Sequence, residues 1–176
     1  RHDQADRFVR KPRRLRVLYA EPSAADVDLT RRAFKHVLGR LSEMLEPDAS
    51  WPAFLLDVGR DDKPIDECLT RLGVTKIDLL VLTHFDADHV AGLAGAARGR
   101  HIDVVLETPW VDTRPQVGFT QAEVAKTGAR VVLAQQNLSG TLGQMAWRVL
   151  TPSKTASEAE DSNDGSIGMY WQLASQ

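Results

Sequence analysis

The sequence has almost no cysteine and no long apolar run, and each shortage excludes a class of protein. A single cysteine, Cys68, excludes an internal disulfide and a cysteine-rich zinc site. We expect this residue to be a small buried hydrophobe on a helix. No uncharged run is long enough to span a bilayer, and the amino terminus lacks the apolar segment of a signal peptide. We therefore expect a soluble domain, whose parent protein can still be membrane-embedded.

The net charge is small, and two common catalytic motifs are missing from the sequence. The net charge of the 176 residues is -2, so no overall field favours nucleic acid, and any such contact must be local. The sequence contains no glycine-rich phosphate loop. Ser153 and Ser166 have no paired histidine, which argues against a serine hydrolase.

What is present is an alternation of strand-like and helix-like segments, which predicts an α/β layered domain. Residues 1–14 form a basic N-terminal arm, read either as a solvated segment or as a phosphate contact, and residues 15–176 form the domain. The predicted strands are 15–20, 53–58, 77–83, 102–106, 131–134, 142–150 and 167–173. The predicted helices are 26–45, 65–72, 89–97 and 121–127, with Gly73 and Gly128 ending two of them.

The segment that carries chemistry follows the apolar strand 77–83. His84, Asp86, Asp88 and His89 place four metal-competent side chains within six residues. Imidazole and carboxylate groups suit zinc, manganese or iron. Because Asp88 and His89 are adjacent, their side chains diverge and can serve a second metal. Two metals that polarise a scissile bond and activate a bridging water are the basis of a two-metal hydrolase.

Residues 79–93 (LLVLTHFDADHVAGL) resemble the metal-binding motif of the metallo-β-lactamase superfamily. More narrowly, they are similar to the soluble domain of ComEC competence proteins, in which Asp often replaces the second His of the motif. The likeness extends to the strand 55–59 (LLDVG), to the strand and proline at 149–152, and to the Asn-x-x-Ser element at 163–166.

The resemblance implies an αββα sandwich, incomplete at its C-terminal end, with a metal cleft at one edge. His84 and Asp86 are then ligands of a first zinc or manganese ion, and Asp88 and His89 of a second. Asp88 also handles the proton of the nucleophilic water, whereas Asp57 and Thr83 support the ligands from behind. The implied activity is that of a phosphodiesterase, a nuclease linked to DNA uptake that acts on single-stranded DNA.

The sequence departs from the ComEC pattern in its first half. Residues 21–26 (EPSAAD) stand where the family has a glycine-rich loop, and both glycines are absent. Residues 16–32 also resemble the opening strand and helix of a response-regulator receiver, although Pro22 replaces the second residue of the acidic pair. The helix at about 29–45 stands where the family has a short hairpin.

A second departure concerns ligands. The family supplies further ligands from a Gly-Asp turn and a later histidine, and no such pair follows residue 166. After the motif the only histidine is His101, which we expect at the surface. Arg98, Arg100 and Asn163 are weaker candidates for contacts with substrate.

Three hypotheses follow. The first is a metal-dependent hydrolase of the ComEC nuclease type, within a bacterial membrane protein. The second is a degenerate, non-catalytic relative used for binding or regulation. The third is another hydrolase of the superfamily that acts on a lactone, a thioester or a β-lactam.

Overall fold

Short runs rich in valine and leucine form the strands of a central sheet in the computed structural model, which describes residues 16–19, 52–111, 113–143, 145–153 and 161–173. The strands are β1 Arg16–Tyr19, β2 Ala53–Leu56, β3 Lys76–Ile77, β4 Leu79–Leu82, β5 His101–Ile102, β6 Val104–Glu107, β7 Arg130–Leu133, β8 Ser139–Leu142, β9 Met145–Thr151 and β10 Gly168–Leu173. The helices are α1 Asp62–Arg71, α2 Ala87–Val90, α3 Leu93–Ala97 and α4 Pro115–Thr127. The predicted arm 1–14 and the predicted helix 26–45 lie outside the described residues.

The central sheet has the order β1-β2-β4-β6-β7, and every neighbouring pair is parallel. Strands β8, β9 and β10 form a separate antiparallel sheet, and β3 pairs with β5. The predicted α/β fold is therefore confirmed, and its central sheet is parallel. Parallel strands need covered faces, and both faces of the inner strands β2, β4 and β6 are covered, whereas the edge strand β7 leaves Val131 and Leu133 exposed.

Two apolar clusters hold the layers together. One cluster packs the helices against the central sheet, and it includes the fully buried side chains of Leu69, Leu80, Leu93 and Val105. The other fills the space between the central sheet and the antiparallel sheet. The described residues thus supply a helix layer, a sheet and a second sheet, which are three layers of the expected αββα sandwich.

Strand β4 lies in the middle of the sheet and leads into the motif. All four of its residues are buried, as the unbroken apolar run predicts. Gly73 and Gly128 adopt positive φ values of 63° and 69° after α1 and α4, which confirms the two predicted helix ends. Helix α4 begins at Pro115, six residues before the predicted start, since proline is well suited to the first helical turn.

The predicted helix 89–97 is instead two short helices, α2 and α3, separated at Ala91-Gly92. The backbone N–H of Gly92 donates to the carbonyl oxygen of Gly59 at 2.9 Å. A Cβ atom on Gly92 would overlap the carbonyl oxygen of Val58. The helix is interrupted at Gly92, where the backbone of the β2–α1 loop occupies the space that a side chain would need.

Cys68 is exposed, so its predicted burial is wrong. Helix α1 buries only Ile65 and Leu69, and the adjacent position points away from that narrow stripe. Within the described part of the chain, no helix has the length and apolar character needed to cross a membrane.

Gly95 is the tightest point between α1 and α3, and its substitution gives a direct test of this packing. A Cβ atom there would overlap the backbone of Asp62. We expect Gly95→Ala to lower the free energy of unfolding by about 1–3 kcal/mol through overpacking. Gly118→Ala in α4 is the matched control, because a Cβ there meets nothing within 4 Å. It should stabilise by up to about 1 kcal/mol. Equal urea midpoints for the two variants would contradict the packing.

Candidate metal centre

The motif begins where β4 ends, beside the end of the neighbouring strand β2. Asp57 follows β2 directly, and its backbone N–H continues the parallel ladder by donating to the carbonyl oxygen of Val81 at 2.8 Å. Thr83 and His84 follow β4 and are buried. Because parallel strands end at the same edge of a sheet, residues far apart in sequence meet here.

The carboxylate of Asp57 is the hub of the site. Its Oδ1 accepts a hydrogen bond from the backbone N–H of Thr83 at 2.8 Å. Its Oδ2 accepts from the hydroxyl of Thr83 and lies 2.8 Å from Nδ1 of His89. Asp57 is 2% exposed and has φ 52°, a left-handed conformation that Asp adopts more readily than most residues. A buried carboxylate needs such partners, and here three donors supply them.

These contacts fix the tautomer of His84. The single hydroxyl proton of Thr83 is donated to Asp57, so Oγ1 of Thr83 can only accept from Nδ1 of His84, 3.0 Å away. The proton of the neutral imidazole therefore sits on Nδ1, and Nε2 carries the lone pair. Burial, followed by the nearby His89, lowers the pKa of His84, which favours this neutral form.

His89 is oriented in the same way from α2. Its Nδ1 faces Oδ2 of Asp57, which as a carboxylate can only accept, so Nδ1 carries the proton and Nε2 is left to bind other groups. Burial alone would lower the pKa of His89, but the hydrogen bond to Asp57 and the negative charges of Asp57, Asp88 and Asp86 together outweigh burial, so the pKa is raised. The ring centroids of His84 and His89 are 3.9 Å apart.

Asp86 divides its two oxygens between different neighbours. Oδ1 accepts from Arg114 at 2.7 Å, and Oδ2 lies 3.6 Å from Nε2 of His84. Burial alone would raise the pKa of Asp86, but hydrogen bonds from Arg114 and Ser162, together with the charges of His84 and Arg114, outweigh burial and the pKa is lowered. Asp88 lies two residues on, in the first turn of α2, and is partly buried.

A turn at residues 161–165 closes the site from the side of the second sheet. Oδ1 of Asp161 accepts from the backbone N–H groups of Asn163 and Asp164, which shapes the turn and directs Ser162 to Asp86. The backbone N–H of Ile167 donates to the carbonyl oxygen of Thr83 at 3.0 Å. The turn and the residue that follows it therefore contact the motif segment at two points, Ser162 with Asp86 and Ile167 with Thr83.

The structure does not bring Arg98 and Arg100 to the motif. Arg100, whose side chain is 4% exposed, donates to the carboxylate of Asp66 and to the carbonyl oxygen of Val74. Arg98 also pairs with Asp66, at 2.9 Å. Val74 precedes β4, whereas the motif follows that strand, so both arginines lie at the opposite end of the sheet. A contact of this pair with substrate finds no support in the geometry.

Two other predicted residues are placed clearly. Asn163 is exposed in the turn, and it is the neighbouring Ser162 that reaches Asp86. The side chain of His101 is 66% exposed and pairs with Asp103, which confirms its surface position.

The donor set can be tested for its fit to a metal. Two ligands about 2.1 Å from one tetrahedral ion lie roughly 3.4 Å apart, and Nε2 of His84 and Oδ2 of Asp86 are separated by 3.6 Å. Both histidines leave Nε2 for metal and hold Nδ1 on an outer partner, as metal-binding histidines do. Across the described ranges, however, no three His, Cys, Asp or Glu side chains converge on one point. The donor chemistry fits a divalent ion, and His84 and Asp86 are a pair of donors whose separation suits one ion.

The comparison with known families agrees with this geometry. The family model for the Metallo-beta-lactamase superfamily matches residues 51–149, which is more than half of the chain. The chain belongs to this superfamily. The matched segment contains Asp57 and the whole motif, and superfamily members typically bind divalent metals. Membership of the superfamily indicates metal-dependent hydrolysis as the general chemistry. A search of the curated proteins found no match.

Sequence reasoning missed Arg114 and Ser162. Arg114 precedes Pro115, and a helix start at that proline would have placed Arg114 at the edge of a structured element. Ser162 was part of a polar, acidic segment without periodicity. No local signal distinguishes it, since its contact with Asp86 depends on how the second sheet packs.

Asp57→Asn tests the hub. The amide has one acceptor oxygen where the carboxylate has two, so one of the three donors loses its partner. We expect the free energy of unfolding to fall by about 2–3 kcal/mol. The pKa of His89 should fall as well, because burial then acts without the carboxylate. NMR titration of the imidazole measures this shift, and Asp61→Asn, at an exposed neighbouring site, is the control. An unchanged His89 pKa would refute the assigned contact.

Glu107 offers a test by pH. It is 4% exposed, its Oε1 has no hydrogen-bond partner within the described structure, and burial raises its pKa. The stability from this neutral carboxyl is complete below its ordinary pKa and is lost as the pH rises through the raised value. Glu107→Gln should therefore stabilise by about 1–3 kcal/mol at pH 8 and much less at pH 4. If the plots of unfolding free energy against pH are parallel for Glu107→Gln and the wild type, this prediction is wrong. The control is Glu67→Gln at an exposed position, whose plot should run parallel to that of the wild type.

Proposed function

We propose that this chain is a metal-dependent phosphodiesterase of the ComEC type that cleaves single-stranded DNA. The observation that carries the proposal is the shared orientation of His84 and His89, whose Nδ1 atoms are both held from behind so that Nε2 is left for an ion. An imidazole held in this way is a ligand prepared for a metal.

The narrower ComEC assignment is supported by three segments that resemble that family. Asp57-Val58-Gly59 supplies the hub carboxylate. The hydroxyl of Thr151 donates to the carbonyl oxygen of Ser166, which joins the strand-proline element to the Asn-x-x-Ser element. The second of these elements lies beside Ser162, which contacts Asp86. The segments with family likeness thus converge on the motif.

The chain's own residues have distinct roles in this proposal. His84, Asp86, Asp88 and His89 would hold the ions, while Asp57 and Thr83 fix the two imidazoles. When bound, a divalent ion polarises the phosphodiester and lowers the pKa of a coordinated water. Asp88, in the first turn of α2, is our candidate to take the proton from that water. The residues of the motif itself are buried or half-buried, whereas Arg114 and Asn163 beside it are exposed.

One observation favours a second candidate, a non-catalytic relative that binds or regulates. The donors do not converge in a group of three within the described residues, and Asp86 is already paired with a cation, Arg114. A protein that had lost its metal would retain the hub of Asp57 for stability alone.

Metal binding separates the two candidates. We expect calorimetry to detect uptake of manganese or zinc by the wild type. The double variant His84→Ala, Asp88→Ala should bind more than about 100-fold more weakly, because outer-shell partners alone are worth about 10–100-fold. His101→Ala is the matched control, since its imidazole is exposed and paired at the other end of the sheet.

The same variants decide the reaction. Wild type with manganese should cleave single-stranded DNA, and both a chelator and the double variant should abolish cleavage. Negligible metal uptake by the wild type would exclude a metal-dependent enzyme and favour the non-catalytic candidate. Metal uptake with hydrolysis of a β-lactam, a lactone or a thioester, and none of DNA, would replace the phosphodiesterase by another hydrolase of the superfamily.

A further inference from the structure

Arg114 contacts the motif from an element that lies outside it. It is the residue immediately before α4, and its Nη1 donates to Oδ1 of Asp86 at 2.7 Å. Its guanidinium carbon lies 5.7 Å from the centroid of the Trp110 ring, a distance at which a cation is attracted to the ring face. Pro115 follows and restricts the backbone at the helix start. The guanidinium is therefore located by a ring, a carboxylate and a helix terminus.

The ring beneath Arg114 is itself held in place. The backbone N–H of Trp110 donates to the hydroxyl of Thr108 at 3.0 Å, and that hydroxyl donates to the carbonyl oxygen of Gly165 at 2.6 Å. A Cβ atom on Gly165 would overlap Cβ of Trp110, so only glycine permits this approach. Thr108 follows β6, and Gly165 belongs to the turn that carries Ser162. The position of Arg114 is thus set by two of the segments that build the site.

Asp86 presents one oxygen to Arg114 and the other to His84, and this division gives Arg114 its role. Oδ1 is taken by Arg114, whereas Oδ2 faces Nε2 of His84 across 3.6 Å. We propose that Arg114 is a positioning residue, which holds Asp86 so that Oδ2 and His84 face the same ion. The proposal rests on the metal-dependent function above. It assigns to Arg114 an effect on metal affinity and no contact with substrate.

A cation close to a metal ligand also repels the metal, and the two effects have opposite signs. The Arg114 side chain is 44% exposed, so water and salt screen its charge at the ion. The hydrogen bond to Oδ1 is short and direct, and it restricts the rotation of the carboxylate. We therefore expect positioning to outweigh repulsion.

The test measures manganese affinity by calorimetry on the full chain. Arg114→Ala should bind manganese about 10–100-fold more weakly than the wild type, the usual effect of removing an outer-shell partner. Arg114→Lys keeps a donor and the charge, and should recover part of the loss. Arg71→Ala, which removes an exposed arginine from the last turn of α1, should bind as the wild type does.

Stability without metal separates positioning from folding. The metal-free urea midpoint of Arg114→Ala should stay close to that of the wild type, because the broken ion pair is half-exposed. Equal or tighter manganese binding by Arg114→Ala would overturn the proposal while leaving the metal-dependent function intact. A wild type that binds no manganese or zinc would overturn both. A loss of affinity matched by an equally large loss of metal-free stability would make Arg114 a structural residue and overturn the positioning role.

Discussion

The carboxylate of Asp57 is the interaction on which the rest of the site depends. It lies directly after β2, yet its three hydrogen-bond donors come from the end of β4 and from α2. A buried carboxylate is stable only when its oxygens are satisfied, so the three segments must meet at one point. Its left-handed backbone, with φ 52°, turns the chain out of the strand and towards the motif. The fold therefore orients both imidazoles before any ligand arrives.

Around this hub, the site is assembled from elements that are distant in sequence. The parallel sheet brings the ends of β2, β4 and β6 to one edge. The turn at 161–165 joins them through the second sheet, and Arg114 joins them from the start of α4. Gly92 lets the chain between α2 and α3 approach the β2–α1 loop, and Gly95 lets α3 approach α1. Each contact restricts one ligand, and together they restrict His84, Asp86 and His89.

Much of this could be predicted from the sequence, and the remainder depends on tertiary contacts. The unbroken apolar run of β4, the glycine helix ends and the motif are all local signals, and the supporting role of Asp57 is implied by the family resemblance. The break at Gly92 was not predictable, because it results from contact with the carbonyl oxygen of Val58. Nor was Arg100 distinguishable from an arginine that faces substrate, since its burial depends on the carboxylate of Asp66. Arg114 and Ser162 lie outside every motif and become visible only when the layers pack.

The central claim is that this arrangement of donors receives a divalent ion on the Nε2 face of the two histidines. The most direct measurement is anomalous diffraction from crystals grown or soaked with manganese. The account predicts an anomalous peak from an ion bonded to Nε2 of His84 and to Oδ2 of Asp86. Nδ1 of His84 should still be hydrogen-bonded to Thr83, and Nδ1 of His89 to Asp57. A fully ordered site without such a peak, or a peak bound elsewhere on the chain, would contradict it.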